Sequence, residues 1–319
     1  MSLKKHIVRG VLFTGFLSAT AILTNKLINY LSLKDNLLKV RNDSFYRWRF
    51  GSVFYNKKGS GKPLLLIHDT NVTSSAYEWH RIVDELAKTN TVYSIDLLGC
   101  GRSDKPDFTY TNFLYVQMIS DFIKNVIGEK ADVIATGISG TFAIASITHD
   151  NSLIDKVIMV NPRDLVDLAK IPTKRNKTTR YLISVPILGN LLFNFLVNRR
   201  SIRENFERKY YYDADKVVGD DIKVYHEASQ KDFANSRYLY ASIISRYLNA
   251  NIIHHLQKTT NSVFIIVGKE NRFYEEAAYR YQEVMPAIEI VELDGCSYLP
   301  QLENPRTFTE QVKLLLEIY

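Results

Sequence analysis

Gly137-Ile138-Ser139-Gly140-Thr141 places a hydroxyl nucleophile among residues small enough to let a strand turn sharply into a helix. A serine at the tip of such a bend faces backbone N–H groups and the positive end of the helix, which together stabilise a developing oxyanion. The chemistry would be acyl transfer. A serine hydroxyl is a weak nucleophile and needs a neighbouring base that titrates near the working pH. The chain's seven histidines are His6, His68, His80, His149, His226, His254 and His255, so none lies in the last 64 residues of the 319.

The elements that must position this bend are legible as a pattern. Short apolar, β-rich runs at 50–55, 64–67, 92–95, 133–135, 157–160, 263–267 and 288–293 alternate with helical patterns at 76–88, 112–127, 142–149 and 305–318. Apolar strands alternating with helices predict an α/β fold with a mostly parallel sheet covered by helices on both faces. Between residues 161 and 262 the alternation stops and the pattern is almost wholly helical. That stretch contains the apolar piece 181–197 and the basic run Asn198-Arg199-Arg200-Ser201-Ile202-Arg203. An insertion of this kind predicts a cap or lid. The expected organisation is an N-terminal apolar helix over 1–31, a basic connector over 32–49, a core over 50–162 and 262–319, and a helical cap over 163–261.

At 46% hydrophobic and 24% charged, the composition supports a sizeable core. The net charge of +7 is unevenly placed, since residues 1–60 hold eleven Lys/Arg against Asp35 and Asp43. Such asymmetry points to an anionic membrane surface or to nucleic acid. The uncharged run 10–25, bracketed by Arg9 and Lys26, favours the membrane, and no nucleic-acid motif is present. Its 16 residues fall a little short of a span, for which about 20 are needed, and Leu27, Ile28 and Leu31 extend it. The leading expectation is a single uncleaved membrane anchor with a cytoplasmic body. The alternatives are a cleaved signal peptide and a helix packed on the domain or lying flat on a membrane. Cys100 and Cys296 make no disulfide framework. No His/Asp/Glu spacing suggests a metal and no glycine loop a nucleotide, so no cofactor is expected.

Three motifs in order resemble the α/β-hydrolase superfamily. They are the strand Leu64-Leu65-Leu66-Ile67-His68-Asp69, the turn Asp96-Leu97-Leu98-Gly99-Cys100-Gly101-Arg102-Ser103, and the segment around Ser139. The second is similar to the D-x-x-G-x-G-x-S turn of the epoxide hydrolase, esterase and haloalkane dehalogenase branches. The resemblance implies a nucleophile position at Ser139 and an oxyanion pocket near His68, Asp69 and Gly140. It also implies a triad-histidine position at Tyr298 and a triad-acid position at Asn271, with Glu270 and Asp164 as candidate acids.

Departures from that pattern decide the functional expectation. Tyr298 stands where the family carries histidine, and His68-Asp69 stands where it carries His-Gly. An aspartate there adds negative charge where an oxyanion would form. Tyrosine, with a pKa of about 10, is a poor base at neutral pH. Losing the histidine of a comparable triad costs about 10⁶ in turnover, roughly 8 kcal/mol of barrier. The expectation is a membrane-anchored pseudoenzyme, non-catalytic or weakly active, that binds a small apolar or lipid-like ligand under its lid. One alternative is an active serine hydrolase of esters or lipids using a non-standard base such as His226. Another is a scaffold at a membrane surface.

Overall fold

The computed structural model describes residues 2–39 and 44–318, leaving aside the side chains of residues 2–15 and 17. Eight strands form one sheet: β1 (Ser44–Trp48), β2 (Gly51–Lys58), β3 (Lys62–Ile67), β4 (Asn90–Ile95), β5 (Ala131–Thr136), β6 (Ile154–Val160), β7 (Ser262–Gly268) and β8 (Glu289–Leu293). Their order is β1-β2-β4-β3-β5-β6-β7-β8. The pairings β1–β2 and β2–β4 are antiparallel, and all the others are parallel.

The central strands are apolar along their length because both faces are covered. Leu65, Val133 and Ala135 share one buried layer with Phe122 and Phe142, while Leu64, Leu66 and Ile134 share the other with Trp79 and Phe308. Alternate residues thus feed opposite layers, as the pleat requires. The helix Pro305–Leu316 shows how sequence builds such a layer. The Asn304 side chain accepts the Thr307 N–H, Pro305 opens the first turn, and Phe308, Val312 and Leu315 recur on the buried face. Burying Phe308 and Val312 stabilises the fold by about 1.5–3 kcal/mol each.

The second motif is a structural knot. The Asp96 carboxylate accepts the Ala76 N–H at 2.6 Å, the Arg102 N–H at 2.7 Å and the Arg102 guanidinium at 2.7 and 2.9 Å. Gly101, at φ +49°, brings the backbone so close to that carboxylate that a Cβ would overlap it.

The end of the expected connector over 32–49 is regular structure. Ser44–Trp48 is an edge strand that buries Trp48, whose Nε1 donates to Asp121 at 2.8 Å. Between β6 and β7 the regular elements are helices, chief among them Lys174–Ser184, Leu188–Leu196, Arg199–Asn205, Gly219–Ala234 and Ser236–Ile244.

The N-terminal segment is a helix, Ser2–Leu33, and its described residues do not show the membrane-spanning anchor expected of it. Among the described residues no helix is long and apolar enough to cross a membrane. The side chains of the first part of the expected span, up to residue 15, and of residue 17 lie outside the described residues. Further along, polar residues turn the helix toward protein. Asn29 donates to the Gln230 carbonyl at 2.6 Å, Asn25 to the Ile187 carbonyl at 3.3 Å, and Asn194 to Asn25 at 2.9 Å. Beyond it, the Leu37 and Leu38 N–H groups donate to the buried Glu227 carboxylate at 2.6 and 3.2 Å. The packed-helix alternative describes this half of the segment.

Candidate functional site

The parallel strands deliver their following residues to one edge of the sheet, where ligands of open α/β sheets bind. Asp69 follows β3, Gly137 follows β5, Asn161 follows β6, Asn271 follows β7 and Tyr298 follows β8.

The bend after β5 runs through Gly137 and Ile138 before the helix Ser139–His149 begins. Gly137 has φ +59°, a region that glycine enters freely and other residues enter at a cost. A Cβ there would overlap the Tyr298 hydroxyl and lie 2.5 Å from Asp69 Oδ1. The position whose side chain would point at Tyr298 therefore carries none.

The expectation that Ser139 is the nucleophile is corrected by this geometry. Ser139 sits in the first helical turn and is fully buried. Its Oγ donates to the His68 carbonyl at 2.7 Å and lies 2.7 Å from Thr70 Oγ1. Gly137 and Ile138 line the neighbouring cavity, whereas Ser139 does not. Gly140, expected near the oxyanion pocket, instead faces Met159, whose Cε would lie 2.8 Å from a Cβ at 140. The small residues at 139 and 140 thus serve the packing of helix on sheet. The signal for this was present in the sequence. Ala135-Thr136-Gly137-Ile138-Ser139-Gly140 has small residues on both sides of 137, so the tip can be read two residues earlier.

His68 is buried and structural. Its Nε2 accepts the Leu97 N–H at 3.0 Å, which leaves the proton on Nδ1, 2.7 Å from the Asp69 carbonyl. Burial holds its pKa down, in keeping with a neutral ring. Asp69 lines the cavity. Burial pushes its pKa up, against hydrogen bonds from the Tyr298 hydroxyl and the Ile138 and Thr70 N–H groups and the charge of Arg163.

Glu78 lies behind it and was missed in the sequence, where it reads as one more acidic residue on a helix. It accepts the Asp69 N–H at 3.3 Å and the Gln301 amide at 2.9 Å. Burial, with the Asp69 charge adding to it, pushes the Glu78 carboxyl up to about 8. The folded state therefore holds a proton that the unfolded chain releases, and stability falls as pH rises from about 4.5 to about 8. The Tm is expected to drop across that interval. Glu78→Gln, which cannot ionise, is expected to flatten the slope, as thermal unfolding at pH 5 and pH 8 will show.

Tyr298 stacks on Tyr274 at 4.8 Å and tilts against Tyr210 at 5.4 Å between ring centroids. Burial pushes its phenol pKa well up, so it is no base at neutral pH. Asn161 fixes its loop, donating to the Ser297 and Tyr298 carbonyls at 3.0 and 2.8 Å and accepting the Gly268 N–H at 3.1 Å. Asn271 reaches only Ser297 Oγ, at 3.4 Å.

The candidate acids are not gathered at the bend. Glu270 accepts the Gly295 N–H, and Asp164 caps a helical turn while pairing with Arg280. No histidine lines the cavity among the described residues. His226, the candidate base, sits buried in the helix Gly219–Ala234 with its pKa pushed down to about 4 by burial.

The cavity beside the bend has a volume of about 390 Å³. Its wall combines Asp69, Asn71, Arg163, Asn205, Lys209 and Asn249 with Tyr210, Phe273, Tyr274 and Tyr298. Ile138, Ile243 and Leu248 complete the apolar part of the lining. No group of three or more metal-ligating side chains occurs among the described residues.

Comparison with known proteins agrees with the fold. The model of the alpha/beta hydrolase family matches residues 64–311. A 2-hydroxy-6-oxo-6-(2'-aminophenyl)hexa-2,4-dienoic acid hydrolase of Metapseudomonas resinovorans is 26% identical over 140 residues, which are 42% of this chain and 48% of that protein. The chain thus spans under half the length of that curated relative. The structure of a meta-cleavage product hydrolase from Pseudomonas fluorescens IP01 overlays with a TM-score of 0.69 at 19% identity, over 86% of this chain and 97% of that one. A bacterial membrane phospholipase A, described as a virulence factor, overlays with a TM-score of 0.68 at 14% identity. It covers 99% of this chain and 98% of its own. At these identities the two structures speak for the fold alone. With a family model covering most of its length and a sheet of matching architecture, the chain belongs to the alpha/beta hydrolase family.

Proposed function

We propose that this protein is a non-catalytic member of its family that binds a small polar molecule in the cavity beside the β5 bend. The observation that carries this reading is Gly137. The strained position at the tip has no side chain, and the Tyr298 hydroxyl and Asp69 carboxylate occupy the space where one would stand. The serine two residues on is sealed behind the bend with both sides of its hydroxyl engaged. Arg163, Lys209 and the amides of Asn71, Asn205 and Asn249 supply the polar contacts for a ligand.

Treatment of the purified protein with a fluorophosphonate probe is expected to leave Ser139 unlabelled, and p-nitrophenyl esters are expected to turn over no faster than in buffer. Ser139→Ala is expected to lower stability by about 1–2 kcal/mol through the two lost hydrogen bonds, with no change in any activity. Labelling and ester turnover that both vanish in Ser139→Ala would sink the reading and restore an active hydrolase.

A further inference from the structure

We propose that the outer faces of the N-terminal helix and of the cap helix Leu188–Leu196 form a docking surface for an anionic lipid membrane, on which the protein lies without spanning it. The proposal goes beyond the reading of the cavity and does not depend on it.

Polar side chains fix which faces are outer. Asn194 donates to Asn25 at 2.9 Å, Asn29 donates to the Gln230 carbonyl at 2.6 Å, and the Gln230 amide donates to Asn194 Oδ1 at 3.0 Å. Both helices therefore rest on Gly219–Ala234 and touch each other through these groups. Residues two positions either side of Asn25 stand about 200° round the helix from it. They are Leu23 and Leu27, and Phe16 and Tyr30 recur on the same face. All four are exposed, Leu23 by 67% and Phe16 by 70%. Leu192 and Leu196 flank Asn194 in the same way, beside Leu188 and Phe195, and Phe195 is 76% exposed. Ile22 and Phe233, exposed as well, wall the small cavity between the two helices and join the stripes. Single exposed apolar side chains are ordinary, whereas a run of them across adjoining helices marks an interaction surface.

The charges around it choose the occupant. Residues 168–203, which include that cap helix, hold eight Lys/Arg and no Asp or Glu, and Lys26 lies on the N-terminal helix. Lys174, Lys177 and Arg199 are exposed. An apolar face edged by cations sits at the headgroup boundary, with its leucines among the acyl chains and its cations on the lipid phosphates. A nucleic acid would engage the cations and leave the leucines in water. A second copy of this chain would set cation against cation.

The test is co-sedimentation of the full chain with vesicles of phosphatidylcholine, with and without phosphatidylglycerol. Binding is expected to the anionic vesicles and to fall at high salt. Leu23→Gln with Phe195→Gln is expected to weaken it by about tenfold or more. Lys174→Glu with Arg199→Glu is expected to weaken it by about twentyfold or more. Those two charges stand at the first position of their helices, where a carboxylate is favourable, so the loss is not one of folding. If the apolar pair does not fold, Phe195→Gln alone takes its place, with about a threefold loss expected. A wild type that ignores anionic vesicles overturns the proposal. So does binding that survives either pair, and loss with the charge pair alone would assign the cations to a polyanion instead. A wild-type dimer in light scattering that the apolar pair dissolves, with vesicles ignored, would give the face to a second copy and overturn it too.

Discussion

Asn161→Ala is expected to lower the unfolding free energy by about 4 kcal/mol or more, the largest loss for a single side chain near the site. Asn161 is fully buried and bonds three backbone groups from two other segments: the Gly268 N–H at the end of β7 and the Ser297 and Tyr298 carbonyls after β8. Alanine leaves all three without a partner where water does not reach, at about 1–3 kcal/mol each. It would also hold a non-glycine residue with no side-chain hydrogen bond at φ +45°, which costs roughly 1–2 kcal/mol. The two contributions separate experimentally. Asn161→Gly relieves the backbone but not the orphaned groups, so it should recover about 1 kcal/mol of the alanine loss. Urea unfolding of the three proteins measures both differences. Near-equal stability of wild type and Asn161→Ala would show that the buried carbonyls find other partners.

Gly137→Ala is expected to cost about 2–4 kcal/mol. Part comes from the left-handed backbone and part from overlap with Tyr298 and Asp69. Gly128 supplies the control. It too has positive φ, at +80°, but a Cβ there meets nothing within 4 Å. Gly128→Ala should therefore show the backbone cost alone, about 1 kcal/mol. The excess at 137 belongs to crowding, and removing one of the crowding atoms should reduce it. In a double-mutant cycle, Tyr298→Phe and Gly137→Ala should couple favourably by about 0.5–3 kcal/mol. Urea midpoints for the four proteins give the coupling. An additive cycle, or equal costs at 128 and 137, would mean that the tyrosine hydroxyl does not fill the place of a side chain.

Much of the fold could be read from the chain before any coordinates. The apolar strands from β3 to β8 and the Asp96 turn stand out because both depend on local pattern: unbroken apolar runs, and glycines beside an aspartate. β1 did not, since the five residues Ser44-Phe45-Tyr46-Arg47-Trp48 carry little signal without their partner strand. The site was legible in part. Tyr298 and Asp69 could be picked out as departures, and the structure brings both to the bend. The tip itself was placed two residues late, because a serine between glycines satisfies the same short pattern as a glycine between small residues. Only the start of the helix and the sign of φ decide between them. Glu78 and the polar cavity wall were hidden for another reason. Asn71, Arg163, Asn205, Lys209 and Asn249 come from distant parts of the chain, and nothing in their local sequence says that they converge. The N-terminal helix reads as an anchor from its uncharged run 10–25, a pattern that does not show that Asn25 and Asn29 meet protein.

That helix has a mechanical consequence. Glu227, buried in the middle of Gly219–Ala234, takes the Leu37 and Leu38 N–H groups and pairs with Lys231 at 3.2 Å. Swinging this part of the cap away from residues 37 and 38 would strip a buried carboxylate of two backbone donors while Lys231 moves with it, a loss on the order of 3–6 kcal/mol for two hydrogen bonds to a charged group. Fewer than one molecule in a hundred would stand open at any moment. Exchange of a bound molecule should therefore proceed by side-chain motion at the cavity mouth, and freeing residues 37 and 38 should loosen a doorway that the wild-type chain keeps latched.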